Sequence, residues 1–321
     1  YKDAFTQLSE LLELLPKITD GTAREQGLGV AAYLYNQVGE YDLALLYATR
    51  LIDEDWAGRG ECNGGQLKLE ALYKSGRLSA TSPDIAAAIE ACERIDELAY
   101  ANQIRTYVAC LYIDEGNYDQ AIKYLTTHYS DVLQTRYPHL IAEYDALLAT
   151  AYKGAGVPAM ARQYALRTLQ DGVQRQHTAP QVAAYRLLYE LAEARGDFKL
   201  ALDYQKKYIV ANRAYIDDVS ARQIAYEKVK HEILANQLQI SALNKQNQIL
   251  QLERENNRLY IALLISVLAF IGLWAYKTKR LQVHFMRLSQ KDGLTGIANR
   301  PHFIDRSDHI LEANRKSDQE M

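Results

Sequence analysis

The 321 residues carry 37 Lys/Arg against 40 Asp/Glu, a net charge of −3, which argues against a nucleic-acid-binding surface and leaves ample chain for a buried core. Charge is uneven: residues 277–321 hold nine Lys/Arg and six Asp/Glu, the remainder 28 and 34, an asymmetry that two compartments explain better than one continuous domain. The cysteines Cys62, Cys92 and Cys110 form no C-x-x-C pair, so buried free thiols are expected rather than a disulfide framework or a zinc ribbon. The chain opens at Tyr1 without Met or a signal sequence, as a fragment or a processed chain would.

The first 216 residues repeat. GEYDLALLYATRL begins at Gly39, GNYDQAIKYL at Gly116, GVPAMARQYAL at Gly156 and GDFKLALDYQKKY at Gly196. Each reads Gly, an aromatic or Pro two residues on (Tyr41, Tyr118, Pro158, Phe198), then a small residue (Ala44, Ala121, Ala161, Ala201) and a Tyr. The last three glycines stand 40 residues apart, and a weaker copy, YKSGRL, lies at Tyr73 to Leu78 with TSPD inserted before a helix over Ile85 to Ile95. Glycine permits a tight turn between two helices, alanine lets them approach, and Tyr73, Tyr112 and Tyr152 supply the first helix's contact. This pattern resembles the tetratricopeptide repeat family, in about five copies over residues 1–216, with a period longer than that family's usual ~34 and without most of its Trp and Pro positions. The resemblance implies a helical solenoid whose concave groove binds a peptide or protein. The plainer reading of its tyrosines is core packing. GRGECNGG at Gly58 to Gly65 follows no strand, so a flexible turn between helices is expected there rather than a phosphate loop.

Asp217 to Arg258 lacks Pro and Gly. Tyr226, Val229, Ile233, Asn236, Ile240, Leu243, Asn247 and Leu250 fall alternately three and four apart, the seam of a short homodimeric coiled coil with Asn at two seam positions. The alternative is a single amphipathic helix packed on the repeat domain. LYIALLISVLAFIGLWAY, Leu259 to Tyr276, is uncharged, and eighteen helical residues rise about 27 Å, close to the ~30 Å of a bilayer's hydrocarbon. Tyr260, Trp274 and Tyr276 stand near its ends. Lys277, Lys279 and Arg280 follow at once, which predicts a cytoplasmic C-terminal side and repeats outside the cytoplasmic membrane, periplasmic in a Gram-negative cell. A buried core helix is the competing reading. Residues 277–291 continue as a linker helix.

Then comes KDGLTGIANRPHF. Read locally, Gly293 and Gly296 break the helix, Asn299 caps the next one with Pro301 in its first turn, and Phe303, Ile310 and Leu311 form its apolar stripe. Asp292, Leu294, Thr295, Gly296, Ile297, Asn299, Arg300 and Phe303 together resemble D-x-L-T-G-L-x-N-R-x-x-F, the opening of the GGDEF family of diguanylate cyclases, with Ile297 for Leu and Pro301 for Arg. The resemblance covers residues 292–321 and implies the first helix of an α/β catalytic domain that makes cyclic di-GMP from two GTP with Mg2+. It also implies a structural ion pair between Asp292 and Arg300. The metal-binding strand and GG[DE]EF turn do not occur in these residues, so no catalytic residue, cofactor site or cyclase activity is expected of them.

The seven histidines show no ligand spacing and no metal site is expected. The expected whole is therefore all-α over most of its length: sensor domain 1–216, coiled-coil signalling helix 217–258, transmembrane helix 259–276, linker 277–291 and a GGDEF start at 292–321. A membrane-anchored interaction scaffold is the alternative, and a sensor kinase a third, weakened because His284 stands alone outside a dimerisation helix.

Overall fold

The computed structural model describes residues 1–54, 59–170 and 179–317. The described residues are mostly helical and form no strand; one isolated bridge joins Lys291 to Ala298. Two units divide the chain, Tyr1–Leu234 and Ala235–Met321.

In the first unit, α1 (Lys2–Leu14) precedes five helix pairs. These are α2 (Gly21–Gln37) with α3 (Tyr41–Asp53), α4 (Gly60–Lys74) with α5 (Pro83–Arg94), and α6 (Leu98–Asp114) with α7 (Tyr118–Thr127) and the short α8 (Tyr129–Thr135). Then come α9 (Pro138–Gly154) with α10 (Pro158–Thr168), and α11 (Ala179–Ala194) with the start of α12 (Phe198–Ser289). Proline opens α5, α9 and α10, where its missing N–H costs nothing.

The turn inside every pair is the same. Gly39, Gly76, Gly116, Gly156 and Gly196 all have φ between 70° and 78°. At Gly116 the glycine N–H donates to Ile113 O at 3.0 Å and the next N–H, of Asn117, donates to Tyr112 O at 2.8 Å, closing the last helical turn. A side chain at such a φ is strained by about 1–2 kcal/mol, which is why glycine recurs. Ala44, Ala121 and Ala161 are fully buried just beyond the turns, and Ala201 nearly so. Tyrosines four residues before and eight after a turn glycine meet: Tyr35 stacks on Tyr47 at 5.6 Å and Tyr152 on Tyr164 at 5.5 Å, while Tyr112 meets Tyr124 edge-on at 6.0 Å. Tyr73, three residues before Gly76, stacks on Tyr107 of the following pair.

Each first helix also packs on the first helix of the next pair, α2 on α4, α4 on α6, α6 on α9 and α9 on α11. The apolar interior is accordingly a row of small clusters between neighbouring pairs, such as Ala109, Leu125, Val132, Leu140, Tyr144 and Leu148. Buried polar side chains are tied into it: Asp145 accepts from Tyr129 Oη at 2.6 Å, and Gln66 Nε2 donates to Tyr107 Oη at 2.8 Å.

Two expectations are corrected here. Cys62 on α4 and Cys92 on α5 are joined in a disulfide, their Cα atoms 4.6 Å apart, and Cys110 is the free thiol among the described residues. The pairing left no local signature because 30 residues separate the partners and only the folded hairpin brings them together. The expected loop at GRGECNGG is, from Gly60 onward, the first turns of α4; Gly58 lies outside the described residues. The glycines there serve packing. A Cβ on Gly64 would stand 2.9 Å from Ala48 O and one on Gly65 2.8 Å from Ala88 Cβ, so α3 and α5 close onto bare backbone.

Candidate functional site

Three places combine chemistry with an unusual environment: the descending part of α12, its apolar stretch, and the turn at Lys291–Asn299.

α12 begins as the second helix of the last pair. Asp197 Oδ1 caps it by accepting from Leu200 N at 3.1 Å, and Ala201 and Tyr204 lie toward the α9–α11 side. It does not stop where that pair ends. Further along, Tyr226 (9% exposed) and Val229 (5%) are buried with Phe5, Leu8, Tyr35, Val38 and Ala44, so the last helix of the array is seated on its first helices. The Tyr226 ring meets Phe5 edge-on at 5.5 Å and Tyr35 at 6.2 Å. A polar rim surrounds this contact. Lys230 Nζ donates to Glu40 Oε1 at 2.8 Å, Arg222 to Gln37 Oε1 at 2.6 Å, Lys2 to Glu232 at 3.0 Å, and Tyr1 Oη to Asp218. The Lys230 bond holds the Glu40 carboxyl below its ordinary pKa against an opposing push from burial, and raises Lys230 in turn. Burial raises the Tyr226 hydroxyl.

The expected coiled-coil seam thus divides. Tyr226, Val229 and the half-buried Ile233 are spent on the chain's own first hairpin, as the amphipathic-helix alternative requires. Asn236, Ile240, Leu243, Asn247 and Leu250 remain exposed. Sequence reasoning missed the partner side, Tyr1, Phe5, Gln37 and Glu40. The available signal was that α1 precedes the first turn glycine with no pair of its own, yet carries apolar residues that need cover.

Within the second unit, α12 contains a stretch long and apolar enough to cross a membrane, none of it buried in the protein. After it, Lys277, Arg280, His284 and Arg287 recur at alternate intervals of three and four, one face of the helix.

α12 ends at Ser289, and the turn that follows is organised by Asp292. Asp292 Oδ1 accepts from Leu294 N at 3.1 Å, Thr295 N at 3.0 Å and Thr295 Oγ1 at 3.0 Å, which lowers the carboxyl's pKa. Its own N–H donates to Ile297 O at 2.8 Å. Gly296 has φ 70°. Asn299 caps α13 (Arg300–Ser317) as expected, accepting at Oδ1 from His302 N at 3.1 Å while its Nδ2 donates to Ser289 O. The ion pair that the resemblance implied between Asp292 and Arg300 is not formed: the carboxylate is taken up by its own turn. Leu294, Phe303, Ile310 and Leu311 are exposed. The repeat-signature residues, by contrast, are brought together pairwise along the first unit and nowhere converge on one point.

Among the described residues no group of three or more His, Cys, Asp or Glu is placed to hold a metal ion. Inside the array the Glu143 carboxyl, which accepts from Gln103 Nε2 at 3.1 Å, is pushed up by burial. The chain matches no protein-family model and no curated protein sequence.

Proposed function

We propose that this chain is the extracytoplasmic sensor and membrane portion of a diguanylate cyclase, built as a tetratricopeptide-like array, a signalling helix, one membrane span and the opening of a GGDEF domain. The observation that carries the reading is the phrase from Asp292 to Phe303, placed directly after a helix that holds a membrane-length apolar stretch and followed by a capped helix. Within the phrase, Asp292 organises the turn through its bonds from Leu294 N, Thr295 N and Thr295 Oγ1. The residues present do not fit Mg2+ or GTP, since the family's metal-binding carboxylates are not among them, and no catalytic step is assigned to this chain.

The membrane orientation has two supports. Lys277, Lys279 and Arg280 follow the apolar stretch, as cytoplasmic flanks do. The Cys62–Cys92 disulfide belongs to an oxidising compartment, which suits a periplasmic array and not a cytosolic one. Expression of the complete reading frame in a bacterial host tests the function: cellular cyclic di-GMP, measured by mass spectrometry, should rise above the vector control. An unchanged level, together with no GG[DE]EF turn in that reading frame, overturns the cyclase reading. It would leave the membrane-anchored interaction scaffold, a reading favoured by the five helix pairs themselves.

A further inference from the structure

We propose that the first hairpin and a second copy of this chain compete for the same three seam residues of α12, Tyr226, Val229 and Ile233, so that release of the hairpin lengthens the dimeric coil. The inference rests on the signalling helix of the proposed function forming the homodimeric coil that its seam spacing predicts, and adds to it what holds that coil short.

Tyr226, Val229 and Ile233 open the frame that continues through Asn236, Ile240, Leu243, Asn247 and Leu250 without a break. At 100° per residue all eight fall within an arc of about 120° on the helix, so a partner helix that meets Leu243 also faces Val229. In the structure that face is already filled, at 226 and 229, by Phe5, Tyr35 and Val38, while the seam side chains from 236 to 250 are exposed. One helical face cannot hold both partners. With the hairpin docked, a coil can use 236–250, about two heptads with Asn at two of its five seam positions. With the hairpin released it gains Tyr226, Val229 and Ile233, more than a further heptad free of polar seam residues. Coils of two heptads are marginal, so this gain decides whether the dimer is firm.

The array can act on that choice because it grips α12 at two places. Ala201 and Ala211 are buried near its start, and the 218–233 segment is seated on α1 and the α2–α3 turn. Between Phe198 and Val229 the helix is a strut of about 46 Å. A ligand that changes the stacking of the five pairs displaces the first hairpin relative to that strut, and the rim of Lys230–Glu40, Arg222–Gln37 and Lys2–Glu232 bonds is what yields.

The test is cysteine cross-linking of the full-length protein in native membranes, in a Cys110→Ser background, at two seam positions. Leu243→Cys should give a detectable link in every variant, because that position is open whether or not the hairpin is docked. Ile233→Cys should link poorly while the hairpin is docked. Glu40→Lys, which sets two lysines against each other, should raise linking at 233 about fivefold, the effect of about 1 kcal/mol on the docking equilibrium. Adding Lys230→Glu to it should restore the low level. Retention of the Cys62–Cys92 disulfide on non-reducing gels confirms that each variant folds. Equal linking at 233 and 243 with the hairpin intact, or no response at 233 to Glu40→Lys, overturns the competition and leaves the coil standing. Failure of Leu243→Cys to link overturns the coil and the competition together.

Discussion

Ile104 on α6 and Ile265 on α12 are the same side chain under opposite conditions: the first is 0% exposed, the second 62%. The contrast runs through the whole molecule. In the first unit apolar residues from α2 to α11 gather into buried clusters shared between neighbouring helices, so the protein supplies its own interior there. In the second, Ile240, Leu243, Leu250 and the run from Leu259 to Tyr276 are presented outward. Burying a large aliphatic side chain is worth about 1.5–3 kcal/mol, so the second unit displays a large unsatisfied apolar surface. In the proposed function hydrocarbon covers the uncharged run, and a second helix covers the seam spaced by threes and fours.

Substitutions in the two regions should have very different effects. Leu148→Ala, in the buried cluster that α9 shares with α6, α7 and α8, should cost about 2–5 kcal/mol, whereas Leu264→Ala should leave the melting of the detergent-solubilised array unchanged within about 0.5 kcal/mol. Equal effects would mean that the apolar run belongs to the array's core. Cys62→Ser with Cys92→Ser, which opens a loop of 30 residues, should destabilise the array by about 3–4 kcal/mol and lower its thermal midpoint; reductant should do the same to the unaltered protein. Gly116→Ala should cost about 1–2 kcal/mol through its left-handed turn, read from the same melts.

Two smaller effects depend on pH. Burial pushes the Cys110 thiol up to about 12, so the thiolate is scarce at pH 8. Alkylation in the folded protein should therefore be far slower than in the denatured chain, and should accelerate as pH climbs toward 12. The Glu40 carboxyl is lowered by its bond from Lys230, so its contribution to docking α12 is complete above the ordinary carboxylate range and is lost as pH falls through the lowered value. Protease sensitivity of residues 218–234 should then increase on acidification, and Glu40→Gln should abolish most of that dependence.

Legibility followed distance along the chain. The turn glycines, the alanines beyond them and the Asn299 cap all act on residues a few positions away, and a few positions of sequence display them. The Cys62–Cys92 pairing and the seating of Tyr226 on Phe5 join residues 30 and 221 apart, and no local pattern records such meetings. Gly64 misled for a related reason: its value lies in α3 closing onto it, while composition alone suggests a loop. The seam residues were recognisable by their spacing. Which neighbour covers them is a property of the fold.

The seating of α12 on the first hairpin also bears on how such a chain can evolve. An open row of helix pairs can gain or lose a forty-residue unit by duplication or deletion at little cost. Here the first pair is tied to a point on the last helix, and one added layer would carry it away by about 10 Å, some six or seven residues of helix. Tyr226 would then arrive at empty space. The helix works as a ruler for the number of pairs, and a duplication should persist only in lineages that lengthened α12 between Phe198 and Tyr226 to match.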